Sequence, residues 1–294
     1  MKYVIFILCI SLVKALTFPT SFGDCTLTIY DGKIEQSPEL VNHIQYQTED
    51  MVRKWGVIIK KPFSIYITEN KLEFNKHTKT KTPEWGIAVA MMNPDRIILK
   101  SPGIANISYN RIKDIITHEL CHVFMFRINN YYSIPSWFKE GVAMQIANEF
   151  SFHYKFKISF FLFLNRILPL SKLHNFKTLP NNDVKMAYGI SGAAVEALNH
   201  YYKKTIISDI LKNLDNYNFS ESFYKSTGDR IIDFQLKLDS YLYNNYNWLF
   251  LIRTNKYIYI LCPIILLIGF ILNYKRKKYI LNKWEKEELE ELDI

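Results

Sequence analysis

Two histidines flank a glutamate in the stretch at residues 117–122, which reads THELCH. The chain has only 7 His in 294 residues, and chance would give His-Glu-x-x-His roughly 0.01 times in such a sequence. On a helix, residues four apart lie one turn apart on the same face, so His118 and His122 can direct their imidazoles at one ion. Glu119 lies about 100° round the helix from His118, which is too far round to bind the same ion.

A third ligand should come from a separate element, and Glu140 is the candidate. It lies 18 positions after His122, in the segment PSWFKEGVAMQIANEF. Imidazole and carboxylate ligands, with no need for redox chemistry, favour zinc. Three protein ligands would leave a fourth position open for water, as catalytic zinc sites do.

This ligand set predicts hydrolysis by an activated water molecule. Zinc lowers the pKa of bound water, and Glu119 is the candidate general base that accepts the water's proton. Tyr188, in the stretch MAYGISG, is the candidate hydrogen-bond donor to the oxyanion of the tetrahedral intermediate. Because Tyr188 is one of 20 tyrosines, an ordinary place in the core is its alternative role.

The elements that must position these residues follow an α+β pattern. Alternating β-branched and aromatic residues predict strands, and apolar residues at helical spacing predict helices. The predicted strands are 63–67, 86–91 and 96–100, the last two forming a hairpin. The predicted helices are 38–56, 109–128, 136–149, 187–202, 205–215 and 229–246. The apolar stretch 152–170 is interrupted by basic residues, which indicates a further, buried helix. We predict an N-terminal strand-containing lobe and a mostly helical C-terminal lobe, with the metal site between them, followed by one transmembrane helix.

Both ends of the chain predict export and membrane insertion. Residues 1–15 combine a basic residue, an apolar run and a small-residue cleavage site, as secretory signal peptides do; a signal that is never cut is the alternative. Residues 257–274 contain no charge and are followed by KRKK, which predicts a transmembrane helix and a cytoplasmic tail at 275–294. The region 24–250 would then be the extracytoplasmic domain of a single-pass protein of the cell membrane.

Net charge limits the classes of partner, and cysteine content limits the number of disulfides. Without the predicted signal and tail, 29 basic and 22 acidic residues leave a net charge of +7, which could favour anionic surfaces. No basic helix or aromatic stacking motif indicates nucleic acid, and an export signal argues against it. Outside the two ends, Cys25 and Cys121 allow at most one disulfide, and we expect Cys121 to be a buried thiol.

The segments HELCH and PSWFKEGVA resemble the gluzincin metallopeptidases, whose third zinc ligand is the Glu of a W-x-x-E-G-x-A segment. The pattern is closer still to the peptidase MA-like family, and the likeness covers most of 38–245. The resemblance implies a metalloprotease-like fold, Zn²⁺ on His118, His122 and Glu140, Glu119 as the base, and a peptide or protein substrate. It also implies that strand 86–91 lines the cleft and pairs with an extended substrate.

One feature departs from that pattern, and two functions stay open. In thermolysin-like relatives an Asp four residues after the third ligand orients a His, whereas Met144 occupies that position here. Asp114 is the candidate substitute, with a helix N-terminal charge as its alternative role. The first function is a membrane-tethered zinc-dependent peptidase acting outside the cytoplasm. The alternative is a non-catalytic binding or structural protein on a metallopeptidase-like scaffold.

Overall fold

One mixed sheet organises the first part of the fold. The computed structural model describes residues 14–30, 38–56, 58–78, 86–247 and 258–292, and within them the fold is α+β. The sheet has the strand order β1-β2-β3-β5-β4. The strands are β1 (Lys14–Thr20), β2 (Gly23–Ile29), β3 (Phe63–Thr68), β4 (Ala88–Met91) and β5 (Arg96–Lys100).

The remaining described residues are mostly helical. The helices are α1 (Pro38–Trp55), α2 (Lys71–Thr78), α3 (Pro102–Ala105), α4 (Tyr109–Phe126), α5 (Ser136–Ile146), α6 (Phe152–Phe163), α7 (Asn181–Tyr201), α8 (Ile206–Asn213), α9 (Phe219–Thr227), α10 (Ile231–Tyr246) and α11 (Ile258–Leu292). Short 3₁₀ turns occur at Tyr131–Ser133, Leu170–Leu173 and Phe176–Thr178. The predicted helices therefore exist, although α7 begins six residues earlier than expected, and α2, α3 and α9 were not predicted.

Crossover helices explain the parallel part of the sheet. β2 and β3 are parallel, and α1 connects them, because parallel strands cannot be joined by a tight turn. Pro38 is the first residue of α1, a position where its missing N–H has no cost. The helix buries Leu40, Ile44 and Met51 along one face, which is the spacing of an amphipathic helix packed on a sheet.

The β4–β5 hairpin forms one edge of the sheet, as predicted for this stretch. The two strands are antiparallel, with Ala90 opposite Ile97. β5 is parallel to β3 on its other side, so Ile97, Ile98 and Leu99 are buried. All four residues of β4 are only partly buried, as expected for a strand with a neighbour on one side.

Helix α4 lies between the sheet and the helices that follow. It contacts α1, β4 and β5 on one side and α5 on the other, and α5 in turn packs along α7. Arg127, directly after α4, fastens the end of the helix to the sheet. Its Nε donates to Asp95 Oδ2 at 2.8 Å, and its other nitrogens donate to the carbonyls of Phe22 and Lys61. These buried hydrogen bonds fix the end of α4 relative to the strands of the sheet.

Close approach between α5 and α7 depends on a glycine. A Cβ added to Gly141 would lie 2.3 Å from the carbonyl oxygen of Ser191 and 2.7 Å from a methyl of Val195. No side chain larger than hydrogen fits at that distance, so the Gly next to Glu140 lets the two helices touch backbone to backbone. Behind this contact, the aromatic rings of Trp137, Phe219 and Phe234 pack against one another.

Two predictions for local structure need correction. The last two residues of the predicted signal, Lys14 and Ala15, belong to β1 and pair with Ile29 and Thr28 of β2; residues 1–13 lie outside the described residues. The stretch 152–170 is helical only over α6, which ends at Phe163. It is also not buried as predicted, because large apolar side chains of α6 face solvent. Cys25 and Cys121 are buried free thiols, as expected for Cys121.

The predicted transmembrane helix at 257–274 is wrong for the described chain. None of the helices in the described residues is long and apolar enough to cross a membrane. Tyr257 lies outside those residues, and the rest of the stretch forms the first half of α11. The same helix continues without a break from this uncharged stretch through Lys275 into charged residues up to Leu292.

Candidate metal centre

Two turns of α4 carry the histidine pair. The helix begins after Ser108, whose side chain accepts a hydrogen bond from the backbone N–H of Arg111, the usual role of a serine cap. Residues such as Ile112 and Ile116 bury the opposite face, which turns His118 and His122 toward α5. Their rings lie 5.0 Å apart between centroids, inclined at 68°.

Helix α5 brings Glu140 to the pair. Its Oε2 lies 3.4 Å from His118 Nε2 and 3.6 Å from His122 Nε2. One ligand atom from each of the three residues lies within 4.8 Å of the other two. Among the residues that the structure describes, this is the one group of three or more His, Cys, Asp or Glu with that geometry.

The donor set fits a zinc ion. Two ligands of a tetrahedral ion with bonds of about 2.1 Å lie roughly 3.4 Å from each other, which matches the distances from Glu140 to both imidazoles. Two nitrogens and one carboxylate oxygen are also the ligand types of catalytic zinc sites with one open position. Each ligand side chain is 12–18% exposed, so the centre is sheltered but reachable from solvent.

The three residues perturb one another strongly. Burial alone would lower the pKa of His118, but hydrogen bonds to Glu140 and Glu149 raise this pKa well above its ordinary value of 6.5. Burial alone would raise the pKa of Glu140, but the charge of His122 and the hydrogen bonds to both histidines lower it strongly. A metal ion that binds here would have to displace the proton that these interactions favour on His118.

Glu149, which the sequence analysis missed, orients His118. Its Oε2 lies 2.8 Å from His118 Nδ1, and its Oε1 accepts from Arg111 Nη2 at 2.8 Å. A carboxylate on the far nitrogen fixes the ring so that Nε2 faces Glu140, where it could bind a metal ion. Asp114, the expected substitute, contacts Arg111 at 3.2 Å instead, so the orienting role falls to Glu149.

A helix C-cap places Glu149. Asn148 has a left-handed backbone with φ of 53°, and the N–H of Glu149 donates to the carbonyl of Met144 at 2.8 Å. The N–H of Asn148 donates to the carbonyl of Gln145, which completes a Schellman motif with Asn in place of the common Gly. The chain reverses at this cap, and Glu149 returns toward α4.

Glu119 lies in α4 beside the centre but in a different environment. Its side chain is buried, and burial raises its pKa, although the charges of His122 and His118 partly oppose that rise. The elevated pKa brings the carboxylate closer to the range in which a general base works near neutral pH.

The charge of Glu140 affects the pKa values of two tyrosines, Tyr188 and Tyr131. The charge of Glu140, together with burial, raises the pKa of Tyr188 well above its ordinary value, and its ring packs edge-on against Phe176 at 5.2 Å. Burial and the charge of Glu140 also raise the pKa of Tyr131 to about 12. Both hydroxyls therefore stay protonated and can donate hydrogen bonds. Sequence spacing gave no signal for Tyr131.

Comparisons with known proteins agree with the sequence resemblance. Residues 47–234 match the family model described as the Peptidase MA superfamily, which confirms the resemblance drawn from HELCH and PSWFKEGVA. Among curated proteins, none matches this sequence. Similar solved structures include the M1 zinc metallopeptidase from Deinococcus radiodurans (11% identity, TM-score 0.46) and a mutant of it (10% identity, TM-score 0.48). Each match covers 78% of this chain and 52% of the other, so the chain spans about half the length of those structures.

Proposed function

Because the chain belongs to the Peptidase MA superfamily, we propose that it is a zinc-dependent peptidase centred on His118, His122 and Glu140. The observation that carries the proposal is the convergence of both Nε2 atoms on Glu140 Oε2, at 3.4 and 3.6 Å. When bound, zinc supplies Lewis-acid chemistry that activates a water molecule and polarises the scissile carbonyl.

Glu119 is the proposed general base. It would accept the proton of the attacking water and later deliver it to the leaving amine. Two properties suit it to this role. It follows His118 directly, so its side chain leaves the helix beside the centre, and burial has already raised its pKa. Its own angle on α4 keeps it from replacing Glu140 as a ligand.

Tyr188 is the proposed donor to the oxyanion. Its hydroxyl lies in the field of Glu140 and Glu119, and its raised pKa keeps the proton in place. A neutral hydroxyl can donate to the carbonyl oxygen as negative charge develops there, when the hydrogen bond gains most strength. Its position on α7 is set by the close α5–α7 contact at Gly141, which also sets the position of Glu140.

Strand β4 is the proposed substrate guide. Within the described residues it pairs with β5 on one side, and its other side is the edge of the sheet. Helix α4 packs beside β4, so a peptide that extends the sheet at this edge would run past the histidine pair. Backbone hydrogen bonds to an edge strand hold extended peptides with little dependence on their sequence.

The test is whether the loss of Glu119 abolishes hydrolysis and leaves the zinc content unchanged. The wild-type chain and Glu119→Gln are loaded with zinc, and both are assayed by mass spectrometry on a broad peptide library. We expect Glu119→Gln to keep about one zinc per chain and to lose roughly 10²–10⁴-fold in rate. A wild-type chain that binds zinc and cleaves nothing would favour the alternative, a non-catalytic binding or structural protein on this scaffold.

A further inference from the structure

Helix α6 presents large aromatic side chains to solvent. Three phenylalanines occupy one sector of the helix, within about 60° of each other at 100° per residue. Their exposed fractions are 39, 48 and 71% for Phe156, Phe160 and Phe163. The inner face of the same helix buries Ile158 and Leu162. A surface helix that is apolar on both faces is unusual and indicates a second binding partner for its outer face.

The stretch that contains this sector is basic. From residue 150 to residue 182 the sequence contains no Asp or Glu and five Lys or Arg. Lys155 forms an ion pair with Glu196 of α7, so it contributes little to the outer field. Burial, together with the charge of Lys185 of α7, lowers the pKa of Lys157, and an anion near Lys157 would stabilise its charged form.

The exposed apolar sector and the basic stretch around it together indicate the class of partner that binds this face of α6. The exposed part of the three rings amounts to roughly 320 Å², taking a phenylalanine as about 200 Å². That is less than half of what each side of a stable protein–protein interface buries. Insertion into a bilayer interface needs no matching surface, since its strength scales with inserted apolar area and with attraction to anionic lipid.

We propose that the outer face of α6 docks on an anionic lipid bilayer, with the three phenylalanines inserted at the headgroup level. Lys157, at the border of the sector, would lie against lipid phosphate and carboxylate groups. The proposal is independent of the metal centre. It does place that centre near the lipid surface, because α6 packs on α7, the helix that carries Tyr188.

The test compares full-length variants on vesicles of phosphatidylcholine alone and of phosphatidylcholine mixed with phosphatidylserine. We expect the wild type to bind the anionic vesicles more tightly, and the double variant Phe156→Ser/Phe160→Ser to bind them roughly tenfold to thirtyfold more weakly. Lys157→Gln should weaken binding about fivefold on anionic vesicles and leave binding to neutral vesicles unchanged. Leu236→Ser is the matched control, because this α10 side chain is 69% exposed and lies outside the sector.

Hydrogen exchange locates the contact in the same samples. Amides of 152–164 should exchange more slowly on anionic vesicles, and those of α10 should not change. Glu119→Gln should bind vesicles like the wild type, which separates this proposal from the proposed function. Equal melting temperatures would show that the serine variants are folded. The proposal is overturned if the double variant binds anionic vesicles as tightly as the wild type. It is also overturned if only self-association of the chain, and not vesicle binding, responds to the two serines.

Discussion

The Nδ1 atom of His118 lies 2.8 Å from Oε2 of Glu149, a residue nine positions after Glu140 and outside its helix. The second oxygen of the same carboxylate receives a hydrogen bond from Arg111 Nη2 at 2.8 Å. Arg111 and His118 belong to α4, so Glu149 bridges two turns of that helix from the end of α5. The bridge ties the histidine ring, its helix and the third-ligand helix into one unit.

The first prediction concerns zinc affinity in Glu149→Gln. The amide keeps the size of the side chain but cannot provide a charged acceptor for both His118 and Arg111. We expect zinc to bind roughly 10- to 100-fold more weakly, the usual cost of losing such a partner. The measurement is competition with a chromophoric chelator, at a pH high enough that His118 is already neutral.

Asp114→Asn is the matched control for that measurement. Asp114 also contacts Arg111, but its side chain is 46% exposed and it has no contact with His118 among those described. Exposed ion pairs contribute little, so zinc affinity should change less than about fivefold. A larger loss in Asp114→Asn than in Glu149→Gln would contradict the assignment of Glu149 and restore Asp114 as the orienting residue.

The second prediction is the pH dependence of zinc binding. The pKa of His118 is raised above 6.5, so the metal-free protein holds a proton there that zinc must displace. Apparent affinity should therefore fall as the pH drops through that raised pKa, by up to about tenfold per pH unit for one proton. In Glu149→Gln the fall should begin at a lower pH, because one of the two hydrogen bonds that raise the pKa is gone. Identical pH profiles for the two proteins would contradict this account.

The candidate ligands could be named from the sequence, whereas Glu149, which contacts one of them, could not. His118, Glu119 and His122 needed only the helical period, because four residues on a helix make one turn. Glu140 came from a neighbouring helix with a recognisable segment. The left-handed backbone of Asn148 places Glu149. A chain reversal at a single residue leaves no periodic pattern, so the spacing of residues in the sequence does not predict it. The pattern of thermolysin-like relatives has an Asp at the position of Met144, and that pattern gave no signal for Glu149.

The buried side of α6 and the first residues of β1 could also not be predicted from the sequence. Large apolar residues lie on both faces of α6, so its sequence pattern does not tell which side is buried; contacts with α7 and α10 decide that. The apolar run near the N-terminus predicted a signal through Ala15, whereas Lys14 and Ala15 extend β1 because β2 offers a pairing edge. In both cases a tertiary neighbour determines the outcome.

The third prediction separates the two tyrosines near the centre. If Tyr188 donates to the oxyanion, Tyr188→Phe should reduce the rate of peptide hydrolysis roughly 10²- to 10³-fold and retain zinc. Tyr131→Phe, which also lies in the field of Glu140, should have a much smaller effect. The measurement is the rate at saturating substrate together with zinc content. The reverse order of the two variants would assign the donor to Tyr131.

The last prediction tests the contact that positions Glu140 and Tyr188 together. In Gly141→Ala the new methyl would lie 2.3 Å from the Ser191 carbonyl oxygen, a backbone atom that cannot rotate away, so α5 and α7 must separate. Overpacking of this kind costs about 1–3 kcal/mol, which should lower the melting temperature by roughly 2–12 °C. Zinc should also bind more weakly, since Glu140 moves with α5. Gly103→Ala is the control, because nothing lies within 4 Å of its added Cβ; its melting temperature should stay the same or rise. Equal melting temperatures for Gly141→Ala and the wild type would show that the two helices are not held at this distance.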